Sequence, residues 1–171
     1  MIFKITRNAF QFFLLTAILL SCHPKPVIYG VEDNRFSKTG TNMQQYFFRQ
    51  DGVSFMLTVS AVKSGGMKIM MTVANNQHIF ISFNVDQFKL ADASGEIELS
   101  TIYIDNQKVD KDYKCKIYNT DQVEVLLLAL DSKKIKAGVD YYLSLGKIYI
   151  KNYNKDLELN DIKITSEYQV N

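Results

Sequence analysis

The chain has no tryptophan and only two cysteines, two prolines and two histidines among its 171 residues. The only histidines are His23 and His78, so the sequence gives no basis for proposing a serine, histidine and aspartate set for nucleophilic catalysis, and no Gly-x-Ser-x-Gly segment occurs. A phosphate-binding glycine loop is also missing. These absences predict a protein that is not an enzyme and that needs no cofactor.

An excess of charge of one sign is missing as well. The chain has 20 Lys and Arg against 18 Asp and Glu, and Lys4 and Arg7 near its start account for the excess of two cations. Beyond them the only arginines are Arg35 and Arg49. Because affinity for nucleic acid depends on clustered Lys and Arg, the composition predicts no nucleic-acid partner.

The chain does contain alternating apolar residues, together with 10 Tyr and 11 Phe as core material. Residues 53–61 and 67–73 each alternate with a period of two, and the loop 63–66 between them contains two glycines. This pattern predicts a hairpin. Further strands are predicted at residues 79–85, 96–104, 113–118, 123–130, 141–145, 147–152 and 157–165, with residues 46–48 as an edge strand or the start of the core.

About eight or nine strands, spaced about ten residues apart, favour an all-β fold of the antiparallel sandwich type. The stretch 123–130 is apolar on both faces and is expected to be a central strand. A closed up-and-down barrel is the alternative. The sandwich domain is assigned to residues 43–171.

The first 22 residues resemble a bacterial lipoprotein signal peptide that ends in a lipobox, Leu19-Leu20-Ser21-Cys22. The apolar run 9–20 is shorter than the about 20 residues that cross a bilayer, although a short uncleaved membrane helix is the alternative. The resemblance implies a signal peptide over residues 1–21, cleavage between Ser21 and Cys22, and a diacylglycerol (and often a third, palmitate-like acyl chain) on Cys22. It also implies a protein anchored to a membrane by lipid.

Among such lipoproteins, an Asp after the lipidated Cys retains the protein in the inner membrane, and His23 stands there instead. The resemblance therefore implies the outer membrane. Because no acidic residue precedes Glu32, the periplasmic face is favoured over the cell surface. Residues 22–42 are polar and are expected to form a flexible tether, with a docked edge strand at 27–29 as the alternative. If Cys22 carries lipid, Cys115 has no disulfide partner, and its place in an alternating segment predicts a buried strand residue.

The segment Ile135-Lys136-Ala137-Gly138-Val139-Asp140-Tyr141 is similar to the tyrosine corner of immunoglobulin-like and fibronectin type III sandwiches. Ile135, Gly138 and Tyr141 occupy the characteristic positions, and Ala137 stands where proline is usual. The resemblance implies an immunoglobulin-like sandwich. In it Gly138 permits the backbone to reverse, and the Tyr141 hydroxyl bonds to backbone upstream.

Two sets of side chains are candidates for ligand binding. Tyr103, Tyr142, Tyr149 and Tyr153 are expected on outer faces, where they would stack on sugar or enter a protein groove, or else pair across strands. Asp105, Asp110 and Asp112 surround a predicted turn and have ligands that suit calcium. Their spacing differs from an EF-hand, however, and such residues are ordinary in turns, so no metal site is predicted.

Together these features predict a membrane-anchored envelope lipoprotein, a non-enzymatic binding or structural module for a protein partner. The alternative is a surface lipoprotein that binds glycans or assists nutrient uptake.

Overall fold

The computed structural model describes residues 26–39, 44–63, 65–77, 79–131 and 133–168. These residues form 16 strands and two short 3-10 helices, Val85–Gln87 and Lys151–Tyr153, and no α-helix occurs among them. The predicted all-β class and the sandwich-like arrangement of antiparallel sheets are confirmed. In chain order the strands are β1 (Val27–Val31), β2 (Ser37–Thr39), β3 (Gln45–Gln50), β4 (Val53–Ala61), β5 (Met67–Asn75), β6 (Phe80–Asn84), β7 (Lys89–Asp92), β8 (Gly95–Ile97), β9 (Thr101–Ile104), β10 (Gln107–Val109), β11 (Lys114–Tyr118), β12 (Gln122–Ala129), β13 (Tyr141–Ser144), β14 (Gly146–Ile150), β15 (Lys155–Leu159) and β16 (Ile162–Tyr168).

The strands build three antiparallel sheets. A seven-stranded sheet has the order β10-β9-β12-β5-β4-β3-β2, a five-stranded sheet the order β1-β16-β13-β7-β8, and a four-stranded sheet the order β11-β6-β14-β15. The last two sheets share three chain segments, since β6 leads into β7, β13 into β14 and β15 into β16. The three segments lie side by side in the same order in both sheets, as β16-β13-β7 in the five-stranded sheet and as β15-β14-β6 in the four-stranded sheet. The five- and four-stranded sheets are therefore two halves of one bent layer.

One of these segments crosses the bend between β13 and β14. Leu145 lies between these strands and donates its backbone N–H to the carbonyl of Leu159 at 2.7 Å. Gly146 follows with φ +69°, and a Cβ at this position would collide with the side chain of Gln87. Only glycine fits both requirements, so Gly146 allows one continuous segment to serve two sheets.

Alternation explains the central hairpin. Val53, Phe55, Leu57 and Val59 on β4 point inward, as do Met67, Ile69, Met71 and Val73 on β5. The two strands pair from Val53 opposite Asn75 to Ala61 opposite Met67, so the predicted hairpin is confirmed. Strand β12 pairs with both β5 and β9, which confirms its predicted central position.

The inward residues of the seven-stranded sheet and of the bent layer form a single core. Among the largest side chains in it, Phe55, Leu127, Tyr141 and Leu143 are all at most 1% exposed. Removing an apolar side chain of this size from water contributes about 1.5–3 kcal/mol. Within the described residues, every sheet retains free edges, which favours the sandwich over the closed alternative.

Two predicted long strands are each divided in the structure, which accounts for two of the additional strands. The segment 96–104 splits into β8 and β9 because the chain leaves one layer for the other, and Ser100 donates its N–H to the carbonyl of Leu128 at 2.7 Å. The segment 157–165 splits into β15 and β16 at Asp161, whose φ is +56°. Period-two patterns continue through such bends, so the pattern alone does not reveal them.

The predicted tether needs correction over the residues that the structure describes. Residues 26–39 carry β1 and β2, and β1 pairs with β16 from Val27 opposite Tyr168 to Val31 opposite Ile164. Tyr29 and Val31 are buried in the core. The edge-strand alternative for residues 27–29 is thus confirmed, and the sandwich extends back to Val27, ahead of residue 43.

An ion pair fixes the chain after β1. Arg35 Nη2 lies 2.5 Å from Asp33 Oδ2 and donates to the carbonyl of Asn160 at 2.7 Å, in the turn between β15 and β16. The Asp33 side chain is only 6% exposed. Burial raises the pKa of the Asp33 carboxyl, but the hydrogen bonds from Arg35 outweigh it and hold that pKa below its ordinary value.

Candidate functional site

The predicted lipidation site lies outside the described residues, as do Ser21, Cys22, His23 and His78. In the part of the chain that the structure describes, no helix has the length and apolar character that a membrane span requires. Signal cleavage and lipidation therefore stay predictions from the sequence.

The segment that resembles a tyrosine corner has the expected geometry. Tyr141 is fully buried, and its hydroxyl accepts from the N–H of Lys136 at 2.6 Å and donates to the carbonyl of Lys136 at 2.8 Å. Gly138 has φ +77° and donates its N–H to the carbonyl of Ser166 at 2.8 Å. Ile135 is buried beside them. Because these groups satisfy one another, this segment stabilises the fold and is not open to a ligand.

The four candidate tyrosines do not form one site. Tyr103 lies in the seven-stranded sheet, Tyr142 in the five-stranded sheet and Tyr149 in the four-stranded sheet. Tyr153 lies in the second 3-10 helix, where its hydroxyl donates to Gln77 Oε1 at 3.0 Å. Any ligand-binding role must therefore be considered separately for each face.

Of the three aspartates around the predicted turn, Asp105 lies in a tight hairpin between β9 and β10, whereas Asp110 and Asp112 lie between β10 and β11. Asp105 and Asn106 have φ +48° and +64°, a conformation that Asp and Asn tolerate better than most residues. The Asp105 carboxylate already accepts the N–H of Glu124 at 2.9 Å. Among the described residues, no three His, Cys, Asp or Glu side chains come together as they must to hold a metal ion.

Cys115 lies on β11 and is 2% exposed, which confirms the predicted buried strand residue. Burial, assisted by the negative charge of Asp105, raises the pKa of its thiol to about 12. The thiolate is the reactive form of cysteine, so this side chain is inert at neutral pH.

The outer face of the seven-stranded sheet holds an apolar row that we name the methionine stripe. It consists of Phe47 on β3, Met56 on β4, Met70 on β5, Leu126 on β12 and Tyr103 on β9. Met56 lies directly opposite Phe47, and Met70 lies opposite Leu126, which lies opposite Tyr103. Met56 and Met70 are diagonal neighbours on paired strands, so the row is continuous across five strands.

Three side chains of the stripe are exposed to solvent despite their apolar character, and Leu126 and Tyr103 are half-buried. Phe47, Met56 and Met70 are 37%, 38% and 42% exposed. Shallow depressions of about 190 Å³ and 100 Å³ lie on this face, the first beside Phe47 and Met56 and the second beside Met70 and Leu126. Isolated exposed apolar residues are ordinary, whereas a contiguous row of them indicates an interaction surface.

Polar groups surround the stripe. Small hydroxyl residues such as Thr58 and Thr72 lie within it, and the charged Arg49, Lys68 and Glu124 lie further out on the same face. An apolar centre with a charged rim is typical of protein–protein interfaces, and methionine adapts readily to different partners.

Sequence reasoning identified Tyr103 but missed the rest of the stripe. Met56 and Met70 occupy the outward, polar positions of two alternating strands, and Phe47 occupies the outward position of a third. An apolar residue in the polar phase of an alternating strand is the signal that could have revealed them.

No protein-family model matches the chain, and no curated protein matches it. Function is therefore inferred from the chemistry of the outer faces together with the resemblances in the sequence.

Proposed function

We propose that this chain is an envelope lipoprotein, anchored by lipid on Cys22 to the periplasmic face of an outer membrane, that works as a non-enzymatic binding module. Its partner is a protein with a complementary apolar surface. The β-sandwich presents the methionine stripe as the contact surface.

The methionine stripe is the observation that supports this proposal most directly. Its three most exposed apolar side chains, Phe47, Met56 and Met70, remain in water while the fold already has a full core. Burying them against a partner would gain about 25 cal/mol for each Å² of apolar surface removed from water. The rigid sheet beneath them limits the entropy lost on binding.

A cross-linking experiment with a matched control tests the contact surface. A photoreactive amino acid replaces Met56 or, as the control, Ile28 on edge strand β1, which is 37% exposed against 38% for Met56. In cells that make the protein, we expect a defined cross-linked product from position 56 and none from position 28. Met70→Lys should remove that product. Equal products from both positions would contradict the proposal.

The anchor is tested separately. Incorporation of labelled palmitate is expected in the native chain and is expected to disappear in Cys22→Ala, because the thioether needs the thiol. An unmodified thiol at position 22, found by mass spectrometry of the protein purified from membranes, would remove the membrane part of the proposal. The protein-binding part would then need a different compartment.

A further inference from the structure

The outer face of the four-stranded sheet differs from the methionine stripe. It carries Lys114 and Lys116 on β11, Lys147 on β14, and Lys151 just after β14. Its acidic residues are Asp156 and Glu158 on β15, and both lie close to Lys147, whose Nζ is 3.2 Å from Glu158 Oε1 and 3.9 Å from Asp156 Oδ2.

Four lysines against two acids leave this face with an excess of two positive charges. Among the described residues, Lys114, Lys116 and Lys151 form no ion pair. Because the two acids of the face are already paired with Lys147, the local charge is positive even though the chain beyond its first residues is nearly neutral. A surface of this kind attracts anions at ordinary ionic strength.

A groove of about 210 Å³ opens on this face. Apart from Phe83, the residues that line it all have side chains able to form hydrogen bonds: Ser82, Asn84, Gln87, Lys114, Lys147, Tyr149 and Asp156. Lys114 lies opposite Asn84, and Ser82 lies opposite Tyr149, so adjacent strands place these groups side by side. The volume is below that of pockets for drug-sized ligands, about 300–1,000 Å³, and suits a group the size of a single sugar ring.

Several donors in this groove are unused within the described chain. Gln87 Oε1 accepts the N–H of Lys147 at 2.6 Å, which leaves the Gln87 amide N–H groups as donors. The side chain of Asn84 makes no capping hydrogen bond to the 3-10 helix that follows it, and the Ser82 hydroxyl lines the same groove. Two amides, a hydroxyl and an unpaired ammonium at Lys114 thus converge on one space. Such a set matches a ligand rich in acceptor oxygens.

Aromatic rings extend the face beyond the groove. Phe80 and Tyr118 lie opposite each other on β6 and β11 with ring centroids 5.0 Å apart, and Lys151 Nζ lies 5.9 Å from the centroid of Phe80. Tyr118 is 56% exposed. Along β6, Phe80 and Asn84 are about 13 Å apart at about 3.3 Å per residue. A ligand longer than one ring can therefore reach both the groove and this aromatic pair.

We propose that this groove binds an acidic saccharide, with Lys114 donating to a sugar carboxylate, Asn84 and Gln87 bonding sugar hydroxyls, and the Tyr149 ring against the sugar. Charge complementarity selects an anion, and the neutral amide and hydroxyl donors select a polyhydroxylated one. A bare anionic lipid surface would use the lysines and leave the amides unsatisfied. This site lies on a different sheet from the methionine stripe and does not depend on the proposed protein partner.

The test uses the full chain purified in neutral detergent and calorimetric titration with trigalacturonic acid, with maltotriose as the neutral probe. We expect saturable binding of trigalacturonic acid and none of maltotriose. Lys114→Gln should weaken that binding about tenfold, the usual effect of losing one charge-assisted hydrogen bond. Lys108→Gln, which removes the same charge from β10 in the seven-stranded sheet, should leave it unchanged.

Three results would overturn the inference. The first is an absence of binding, and the second is an equal loss in Lys114→Gln and Lys108→Gln, which would indicate general electrostatic attraction. The third is binding to vesicles of phosphatidylglycerol and phosphatidylcholine but not to trigalacturonic acid, which would indicate a membrane surface. Met70→Lys should bind trigalacturonic acid normally, so a failure of this site and a failure of the protein-binding proposal are distinguishable.

Discussion

The outer faces of the seven-stranded and four-stranded sheets carry opposite chemistry on the same backbone pattern. In both, inward positions hold Ile, Leu, Val and Phe, and the sheets share one core. The outward positions of the first hold Met56 and Met70, whereas those of the second hold Lys114, Lys116 and Tyr149. The difference indicates that the inner positions specify the fold and that the outer positions are free to specialise. Two independent binding surfaces can therefore exist on one small domain.

A core substitution is expected to disturb both faces together and to have the largest effect. Leu127 on β12 is fully buried, and Leu127→Ala should lower the free energy of unfolding by about 3 kcal/mol, from lost burial and the cavity left behind. Its neighbour Leu126 points outward, so Leu126→Ala should cost less than about 1 kcal/mol. Urea unfolding followed by circular dichroism measures both. An equal loss of unfolding free energy in the two variants would contradict the placement of Leu127 in the core and of Leu126 on the outer face.

The tyrosine corner should give the next largest effect. Tyr141→Phe leaves the N–H of Lys136 without its partner, while the Lys136 carbonyl keeps the Ser166 hydroxyl at 3.0 Å, and should lower the free energy of unfolding by about 1–2 kcal/mol. Tyr142→Phe is the matched control, because Tyr142 is the next residue and points to solvent. Thermal unfolding of the two variants gives the comparison. Both binding surfaces should be retained in the folded fraction of each variant, and a selective loss of one would contradict a purely structural role.

The Asp33 and Arg35 pair belongs to neither face and should change stability with pH. In the folded chain the pKa of the Asp33 carboxyl lies below its ordinary value of 3.8. The contribution of the pair to the free energy of unfolding is therefore complete well above pH 3.8 and disappears as the pH falls through the folded pKa. Asp33→Asn should cost about 1–2 kcal/mol at pH 7 and should lack this acid-dependent component. Unfolding measured from pH 7 to pH 2 tests the sign. A native chain that becomes more stable on acidification over this interval, relative to the variant, would contradict it.

The smallest changes in stability are expected from the binding surfaces themselves. Met70→Lys and Lys114→Gln both alter exposed side chains and should each change the free energy of unfolding by less than about 0.5 kcal/mol. Each variant should nevertheless weaken binding of one ligand and leave binding of the other unchanged. If either variant loses both ligands while its melting temperature is unchanged, the two faces are coupled.

Much of the fold could be predicted from alternation and turn residues. The hairpin of β4 and β5, the central place of β12, the buried Cys115 and the Tyr141 corner follow from patterns local to the sequence. The bend at Gly146 and the break at Asp161 could not be predicted, because period-two alternation continues on both sides of each and the crossing between sheets depends on distant partners. The early strand β1 was obscured by the polar residues around it.

The binding surfaces were harder to predict than the fold. Tyr103 and Tyr149 were predicted to face outward, and both do so as half-buried side chains, but their neighbours on a face come from strands far apart in the chain. Tyr149 lies beside Ser82 and near Lys114 only because β14 and β11 both pair with β6. A single sequence shows which residues point outward and leaves open which strands are adjacent.

The antiparallel pairing of β1 with β16 has a consequence for how the domain is oriented. Val27 lies opposite Tyr168, so the chain enters and leaves the described domain at the same end of one sheet. Whatever fixes the segment ahead of Val27 in place also restrains whatever follows Tyr168. A fluorescent label attached after Tyr168 would thus report the immediate surroundings of the attachment point, while one in the turn at Asp161 would report conditions at the far end of the same strand.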